Sequence, residues 1–239
     1  MTSTPINSSI SIIVPAYNEG RNLADAVSAI EVAASHKFRE YEILIIDDAS
    51  TDNTGEIADE LSMRNGNVKS IHNPTNMGMG FNYRLGVGLA TKEYIGLVPG
   101  DNELMEESIM DIFDCVGMAD MVLPYHSNSD VRSFFRRSLS GVFTAILNML
   151  FGFRLKYFNG PAVQKRSIIS KVPMTSNGFA YQAEILARLL KAGHSYIEVG
   201  MKIRNRQHGH SKALYPKNIF SVFRTVALVY WDVTIKGHR

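Results

Sequence analysis

Apolar and polar residues alternate in blocks along the first half of the chain, and the spacing inside the blocks switches between two periods. Short apolar runs rich in β-branched residues predict buried strands at 11–14, 41–46, 68–71 and 93–98. Apolar residues at helical spacing predict helices at about 22–35, from 51 onward and up to about 90. Because strands that alternate with helices form right-handed βαβ units, the sequence predicts an α/β fold with a mostly parallel central sheet.

The second half of the chain is less regular, and its elements are more widely spaced. Strands are expected at 121–123 and 195–199, and helices at 132–152 and 179–191. A final helix is expected after Pro216, because proline suits the first turn of a helix. The predicted organisation is a flexible tail at 1–9, one domain at 10–215 and a C-terminal amphipathic helix at 216–239.

Polar clusters follow three of the predicted strands, at 15–19, 47–52 and 99–103. In an open parallel sheet, ligands bind beyond the carboxyl ends of the strands. The carboxylates of Asp47 and Asp48 can accept hydrogen bonds from a base or a ribose, whereas Ser50 and Asp52 equally suit a turn and a helix cap. The sequence therefore places a candidate ligand site at this edge of the sheet.

A glycine-rich turn, Asn76-Met-Gly-Met-Gly80, precedes the third predicted helix. Glycines lack a side chain, so Gly78 and Gly80 let the backbone approach a ligand, as phosphate-binding loops require. The turn differs from the dinucleotide-binding glycine fingerprint, which is absent after the first strand.

The composition limits the classes of partner. The chain has 239 residues, of which 45% are hydrophobic, which suits one α/β domain with a short appendage. A net charge of +2 and a pI of about 8.6 are too mild to indicate a nucleic-acid partner. The single cysteine, Cys115, suits a reducing compartment. Without a secretory signal or an apolar run of about 18 residues, a cytoplasmic location is expected.

The polar clusters occur in an order that is typical of a known family. Pro15-Ala-Tyr-Asn-Glu19, Asp47-Asp-Ala-Ser-Thr-Asp52, Asn76-Met-Gly78 and an acidic motif at 101–103 follow one another along the chain. This ordered set resembles family 2 glycosyltransferases of the GT-A fold over roughly residues 10–212. Arg206-Gln-His-Gly-His-Ser-Lys212 resembles the Arg-x-x-Gly-x-Ser-Lys of dolichol-phosphate mannose synthases and bacterial polyprenyl-phosphate glycosyltransferases. The resemblance implies a three-layer GT-A sandwich with glycosyltransferase activity.

The resemblance also implies roles for individual residues. The nucleotide sugar would be bound by Pro15, Ala16, Tyr17, Asn18, Glu19, Asp47, Asp48, Ser50, Asn76, Gly78, Gly80, Asp101 and Asn102. The transfer step would involve Asp101, Glu184, Arg206 and Lys212. The phosphate of the acceptor would be bound by Arg132, Arg136, Ser211 and Lys212. Arginine and lysine donors suit these roles because a departing diphosphate gathers negative charge.

The acidic motif departs from the Asp-x-Asp of the family, since alternate positions read Pro99, Asp101 and Glu103. Residues two apart in an extended segment face the same side, so Asp101 and Glu103 are the candidate ligands for Mg²⁺ or Mn²⁺. The loss of the first acid leaves three alternatives open: retained metal binding, weakened metal binding, or a degenerate relative that binds a nucleotide sugar without turnover.

Two classes of acceptor are open. A polyprenyl phosphate is already an anion near neutral pH and needs no strong general base. The hydroxyl of a saccharide or lipid-linked glycan needs one, and the resemblance places Glu184 for that part, although a structural hydrogen bond is an equal alternative. The leading hypothesis is an inverting transfer from a UDP- or GDP-sugar to a polyprenyl phosphate.

Arg132, Arg136 and Arg137 precede an apolar run at 139–153. A basic start and an apolar body are typical of a helix that lies in a membrane interface, although a core helix with a basic end also fits. We therefore expect a candidate interfacial helix at 132–153 and a peripheral location on the cytoplasmic face of a membrane. The final helix is expected to pack on the domain, lie on a membrane or form the interface of a homo-oligomer.

Overall fold

The computed structural model describes residues 6–128, 131–178, 180–204 and 225–235, through which strands and helices alternate. The strands are β1 (Ile6–Ala16), β2 (Phe38–Asp47), β3 (Val68–His72), β4 (Tyr94–Leu97), β5 (Met121–His126), β6 (Val163–Lys165) and β7 (Tyr196–Met201). The helices are α1 (Leu23–Lys37), α2 (Thr54–Arg64), α3 (Met79–Leu89), α4 (Glu106–Asp114), α5 (Phe134–Phe151), α6 (Arg166–Ile169) and α7 (Tyr181–Lys191). Residues 225–230 are helical and continue into a π-helical turn at Trp231–Ile235.

A seven-stranded sheet forms the centre of the structure, in the order β3-β2-β1-β4-β6-β5-β7. β1 is parallel to β2 and β4, β2 to β3, and β5 to β7, whereas β6 is antiparallel to both of its neighbours. The prediction of an α/β fold with a mostly parallel sheet is therefore confirmed. β6 was not predicted, because a strand of three residues is too short to show a period in its apolar positions.

Helices cover both faces of the sheet and make a three-layer sandwich. On β1, Ile12 and Val14 face the layer that contains α1 and α4, whereas Ile13 between them faces the layer that contains α3, α5 and α7. All three side chains are fully buried. A parallel strand that is covered on both faces reads as a continuous apolar run, which is why the sequence reveals this strand.

The structure corrects the predicted N-terminal boundary. β1 begins at Ile6, which is the register partner of Phe38 on β2, so residues 6–9 belong to the sheet and not to the predicted tail. The residues after Ile6 are polar, so the apolar pattern predicts a start of the strand that is too late. The pairing with β2 uses backbone groups, which need no apolar side chain.

The helix α4 was also missed from the sequence. Its Ile109, Ile112 and Phe113 are buried, and Phe113 contacts Phe38 edge to face with 5.3 Å between ring centroids. These positions recur at helical spacing, so a periodic signal was present next to the acidic motif. α4 packs beside α1 and completes one layer of the sandwich.

The predicted C-terminal helix lies partly outside the described residues, because 205–224 fall there and Pro216 with them. Within 225–235, Val226, Val229 and Val233 are buried in the layer that contains α5 and α7. The ring of Tyr230 contacts Phe151 at 5.8 Å between centroids. The described part of this segment therefore packs on the domain, which is one of the three alternatives that the sequence left open.

Candidate functional site

Three non-glycine residues in the described ranges have a left-handed backbone: Asn18 (φ 56°), Ala49 (φ 60°) and Asn102 (φ 54°). They lie in the turns that follow β1, β2 and β4. This conformation costs a non-glycine residue free energy, and such residues concentrate at functional sites. The polar clusters predicted from the sequence thus coincide with the three strained turns, and all three lie at the carboxyl edge of the parallel strands.

The end of β1 joins these turns to one another. The carbonyl oxygen of Pro15 accepts a hydrogen bond from the N–H of Gly100 at 3.1 Å, and that of Ala16 accepts one from the N–H of Asp48 at 2.9 Å. Pro15 and Ala16 are buried, whereas the next residue, Tyr17, is half-buried. Pro15 and Ala16 therefore shape the site through their backbone.

The turn after β1 is held by the turn after β2. The N–H of Asn18 donates to Ser50 Oγ at 2.9 Å, and the N–H of Thr51 donates to Asn18 Oδ1 at 2.8 Å. The N–H of Glu19 donates to Thr54 Oγ1 at 2.8 Å. Asparagine is one of the residue types whose short polar side chain makes a left-handed backbone tolerable, which explains its place at position 18.

Asp48 organises the segment that precedes α3. Its buried carboxylate accepts hydrogen bonds from Asn73 Nδ2 at 2.8 Å and from the backbone N–H groups of Met77 at 2.8 Å and Gly78 at 2.9 Å. Asn76 Nδ2 donates to the carbonyl oxygen of Asp48 at 3.3 Å. A carboxylate has roughly four acceptor positions, so Asp48 uses most of them on the fold. The nucleoside contact implied for Asp48 stays a prediction.

Asp47 is bonded from two sides. Its Oδ1 accepts from the N–H of Ser50 at 3.1 Å, and its Oδ2 lies 3.2 Å from His72 Nδ1. His72 Nε2 in turn lies 2.9 Å from Asp59 Oδ1 on α2. The pKa of His72 is raised chiefly by its hydrogen bond to Asp59. Burial of the ring lowers the pKa, and the hydrogen bond to Asp47 raises it further. His72 was missed from the sequence, although a histidine that ends the strand beside β2 was a visible signal.

The glycines at the start of α3 lie close to another segment of the chain. A Cβ on Gly80 would lie 2.2 Å from the carbonyl oxygen of Ser176, and one on Gly78, whose φ is 89°, would lie 2.8 Å from that of Asn177. The N–H of Gly80 donates to the Asn177 carbonyl oxygen at 2.8 Å. The absence of side chains thus permits close contact with residues 176–177, and the predicted approach of this backbone to a ligand stays a prediction.

Glu184 is buried on α7, and its carboxylate is filled by donors from one segment. It accepts from Thr175 Oγ1 at 2.8 Å, from Thr175 N–H at 3.1 Å and from Ser176 N–H at 3.0 Å. Arg188 lies 3.5 Å away on the same helix. Glu184 is 1% exposed, and its carboxylate oxygens are occupied by these donors. These bonds give Glu184 a structural role in fixing residues 175–176 next to Gly80, and its catalytic role stays a prediction.

The acidic motif forms a compact turn after β4. The N–H of Glu103 donates to Asp101 Oδ1 at 3.2 Å across Asn102, and the N–H of Arg204 donates to the carbonyl oxygen of Glu103 at 2.8 Å. The left-handed backbone of Asn102 contradicts the expected extended segment. A turn and not a strand-like repeat therefore relates Asp101 to Glu103, and both residues are half-buried at the carboxyl edge.

The residues of this turn fit a divalent cation in their chemistry. In the described part of the chain, no group of three or more histidine, cysteine or acidic side chains is arranged as a metal site. Two carboxylates on one turn are nevertheless the protein ligands that Mg²⁺ commonly takes when substrate phosphates complete its coordination. Asp101 and Glu103 match that donor set.

Two of the four predicted acceptor residues lie at the start of α5, Arg132 just before it and Arg136 in its first turn. Arg132 and Arg136 are half-buried, and Ser133 caps the helix by accepting from the N–H of Arg136 at 3.5 Å. At the end of β5, burial lowers the pKa of His126 to about 4, and Arg132 adds to the effect. A neutral imidazole and the guanidinium of Arg132 therefore lie near each other at this edge of the sheet.

The outer face of α5 is apolar along its length. Its exposed large side chains are Phe134, Phe135, Val142 and Met149, and the fraction of each that is exposed ranges from 57% to 77%. Leu147 and Phe151, in contrast, are buried in the core. Among the described helices, none combines the length and apolarity that crossing a bilayer requires.

The basic motif implied to close over the phosphates lies outside the described residues. Arg206, Ser211 and Lys212 belong to the range 205–224, so their placement stays a prediction. The preceding residues are placed: Lys202 N–H donates to Ser108 Oγ at 2.8 Å, and Ile203 forms a β-bridge with Leu104. The chain therefore enters the motif directly beside the acidic turn.

Comparisons with known proteins agree with this arrangement. The three-layer α/β sandwich with its mostly parallel sheet is the fold expected of the GT-A class. The sequence profile of Glycosyl transferase family 2 matches residues 11–168, a span that includes the three strained turns. The chain belongs to glycosyl transferase family 2 and is, by family, a glycosyltransferase.

Several curated proteins are similar to this chain in sequence. Glycosyltransferase GlyG of Streptococcus pneumoniae is 33% identical over 51% of this chain and 40% of its own length. Polyprenol monophosphomannose synthase of Mycolicibacterium smegmatis is 28% identical over 84% of this chain and 79% of its own length. Undecaprenyl-phosphate 4-deoxy-4-formamido-L-arabinose transferase of Edwardsiella ictaluri is 23% identical over 94% of this chain and 67% of its own length. The chain thus spans less than half of GlyG.

Among solved structures, glucosyl-3-phosphoglycerate synthase from Mycobacterium tuberculosis is similar in fold. The structure of that protein with Mn²⁺, UDP-glucose and phosphoglyceric acid gives a TM-score of 0.67 at 14% identity and covers 94% of this chain and 79% of that one. At this identity the likeness shows the fold alone.

Proposed function

We propose that the protein transfers a sugar, with inversion, from a UDP- or GDP-sugar to a polyprenyl phosphate at a membrane surface. The observation that carries the proposal is the presence of two features at one edge of the sheet. One is the set of strained turns with the carboxylates of Asp101 and Glu103. The other is α5, which begins with arginines and exposes an apolar face.

The donor half of the proposal rests on the turns after β1, β2 and β4. Hydrogen bonds among these turns hold the backbone in place, so a nucleotide can be oriented there without rearrangement. In the transfer, an acceptor oxygen forms a bond to the anomeric carbon while the bond to the nucleoside diphosphate breaks and its electron pair leaves with the diphosphate. Arg206 and Lys212 are proposed to bind the departing phosphates, since charge-assisted donors stabilise the negative charge that develops.

Asp101 and Glu103 are proposed to hold Mg²⁺ or Mn²⁺. When bound, the cation would neutralise charge on the leaving diphosphate. The similar solved glucosyl-3-phosphoglycerate synthase contains Mn²⁺ together with UDP-glucose, which supports divalent-metal use in this fold. Pro99 in place of the first acid is expected to weaken the binding of the metal.

The burial of Glu184 favours a phosphate acceptor over a hydroxyl. A hydroxyl nucleophile needs a general base within hydrogen-bond reach, and Glu184 is occupied by Thr175 and Ser176. A phosphate monoester is already ionised near neutral pH. Two relatives are named for polyprenol or undecaprenyl phosphate substrates, which supports this choice.

The membrane half of the proposal rests on α5. Phe134 and Phe135 are exposed beside Arg136 and Arg137, so apolar and basic groups occur together at the start of the helix. Burying each phenylalanine in the interface would contribute roughly 1.5–3 kcal/mol, and the arginines would attract lipid phosphates. A position on the cytoplasmic face is part of this proposal, and the single cysteine, Cys115, is compatible with it. A homo-oligomer and the absence of a nucleic-acid partner also stay predictions.

The test is a reaction with a panel of nucleotide sugars and undecaprenyl phosphate in the presence of Mg²⁺ or Mn²⁺. We expect release of UDP or GDP with at least one donor, and formation of a lipid-linked sugar. Asp101→Asn should lower the rate by at least about a hundredfold if its carboxylate acts on the diphosphate. Asp111→Asn is the matched control, because Asp111 is exposed on α4 away from the turns.

Each failure has its own meaning. No release of a nucleoside diphosphate with any donor would overturn the proposal. Calorimetric binding of a nucleotide without turnover would instead support the degenerate relative. Release that depends on a saccharide acceptor, and not on undecaprenyl phosphate, would favour the hydroxyl class.

A further inference from the structure

His72 ends β3 next to the strand that carries Asp47, and the two residues are register partners. The ring spans two elements, with Nδ1 at 3.2 Å from Asp47 Oδ2 on β2 and Nε2 at 2.9 Å from Asp59 Oδ1 on α2. A neutral imidazole has one N–H, so both nitrogens donate together only when the ring is protonated. Both contacts are therefore hydrogen bonds only when the imidazole ring of His72 is protonated.

Carboxylates are the charged groups that face the ring from both elements packed against it. Asp47 faces it from β2 and Asp59 from α2, where Ser70 Oγ also donates to Asp59 Oδ1 at 2.6 Å. The bond to Asp59 raises the pKa of His72, burial opposes the rise, and Asp47 adds to it. The ring consequently stays charged to a higher pH than a free histidine does.

The other charged side chains of these elements have partners of their own. Glu60 and Arg64 on α2 bond each other at 3.0 Å, and Lys69 on β3 bonds Glu42 on β2 at 2.9 Å. Glu56 is exposed on the first turn of α2. The state of the ring therefore depends chiefly on Asp47 and Asp59.

The position of Asp47 links the ring to the turn after β2. A Cβ on Gly55, at the start of α2, would lie 3.2 Å from Asp47 Oδ2 and 3.4 Å from His72 Cε1, so the helix closes tightly over this pair. The other oxygen, Oδ1, accepts from the N–H of Ser50 at 3.1 Å, next to the left-handed Ala49. His72 and Ser50 thus fix the two oxygens of one carboxylate.

We propose that His72 is a positioning residue for the nucleotide donor: its protonated ring fixes the Asp47 carboxylate and, through Ser50, the strained turn on which the nucleotide binds. This inference rests on the proposed function. The charged ring also offsets part of the negative charge of Asp47, Asp48 and Asp52, near which an anionic nucleotide has to bind. When the ring loses a proton it keeps one N–H, and the shorter contact to Asp59 retains it, so Asp47 loses its donor.

The experiment measures the dissociation constants of UDP and GDP with Mg²⁺ by calorimetry between about pH 5.5 and 8.5, the range in which histidine titrates. The proteins are the wild type, His72→Gln and Asp59→Asn. The dissociation constant of each variant is divided by that of the wild type at the same pH. This ratio cancels the ionisation of the nucleotide phosphate, which is common to all of the proteins. Circular dichroism confirms that each variant is folded.

For the wild type, we expect nucleotide affinity to fall about three- to tenfold as pH rises through the titration of His72, the loss equivalent to one net hydrogen bond. His72→Gln should bind more weakly at low pH and approach the wild type at high pH. Asp59→Asn should keep the low-pH affinity and lose most of the fall, because the single N–H of the neutral ring then stays on Asp47, the carboxylate that remains beside it. Glu60→Gln, the adjacent carboxylate on α2, should leave the profile in place.

If the ratio of the dissociation constants of His72→Gln and the wild type is the same at every pH, the charge of His72 has no effect on binding. That result would overturn the inference. An unchanged fall in Asp59→Asn would overturn it as well, and this variant keeps the test decisive if His72→Gln does not fold. Absence of UDP and GDP binding in every protein would be a different failure, since it removes the nucleotide donor of the proposed function itself.

Discussion

Asp48 and Glu184 show how single carboxylates build this site. Both are buried, and both accept backbone N–H groups from a segment that has no regular structure. A buried anion is tolerated when several donors satisfy it, and removing one partner leaves the others unsatisfied. These two side chains therefore determine the shape of the loops at the site. From residue type alone, both carboxylates would have been assigned a chemical role.

Glu184→Gln tests this at the level of one side chain. An amide nitrogen would face the donors of Thr175 and Ser176, so we expect the free energy of unfolding to fall by about 1–3 kcal/mol. Urea unfolding measures this, and initial rates on the folded fraction should fall by much less than the powers of ten that loss of a general base causes. Glu107→Gln on the exposed side of α4 should change neither quantity. A loss of turnover by about a thousandfold at unchanged stability would restore the catalytic role.

At the scale of elements, the start of α3 is fixed by its contact with residues 176–177. Gly80→Ala would place a Cβ 2.2 Å from the Ser176 carbonyl oxygen, so one of the two backbones has to move. We expect a loss of about 1–3 kcal/mol in the free energy of unfolding, together with weaker nucleotide binding. Gly88→Ala on the same helix meets nothing within 4 Å and should instead stabilise by about 0.5–1 kcal/mol. Equal effects of the two substitutions in thermal unfolding would contradict this contact.

The exposed face of α5 makes a second prediction at this scale. Replacing Phe134 and Phe135 by serine should lower binding to vesicles of an anionic phospholipid by at least about tenfold, because two large apolar side chains no longer enter the interface. Cosedimentation with vesicles measures the bound fraction. Met63→Ser is the control, since Met63 is 84% exposed on α2 and lies outside this face. If both variants bind vesicles like the wild type, α5 is not the membrane-binding element.

At the scale of the whole molecule, a nucleotide should stabilise the fold, because its site is assembled from turns that are far apart in the chain. At about a hundred times its dissociation constant, a ligand of the native state alone adds about 2.7 kcal/mol. For a domain of this size that corresponds to a rise of roughly 5–10 °C in Tm. We expect this rise in a thermal-shift screen with UDP or GDP and Mg²⁺, and no comparable rise with AMP. Equal shifts for all nucleotides would indicate that no base is recognised.

The sequence predicted the elements that have a local signal. The apolar run at 11–14 identified β1, and the helical spacing identified α1, because both patterns arise from burial of neighbouring residues. β6 and the polar start of β1 were missed, since their pairing uses backbone groups that leave no pattern in the side chains. Boundaries were therefore less accurate than the existence of elements.

The chain by itself determined the α/β class, the order of the elements and the presence of polar turns at the carboxyl edge, since these follow from local periodicity and turn chemistry. Only the tertiary structure decided what the polar residues do. Asp48 meets Gly78, Gly80 meets Ser176, and His72 meets Asp59 and Asp47. Such partners are separated in sequence and are brought together by the packing of helices on the sheet, so whether a carboxylate supports a loop or faces a ligand becomes visible only in the folded chain.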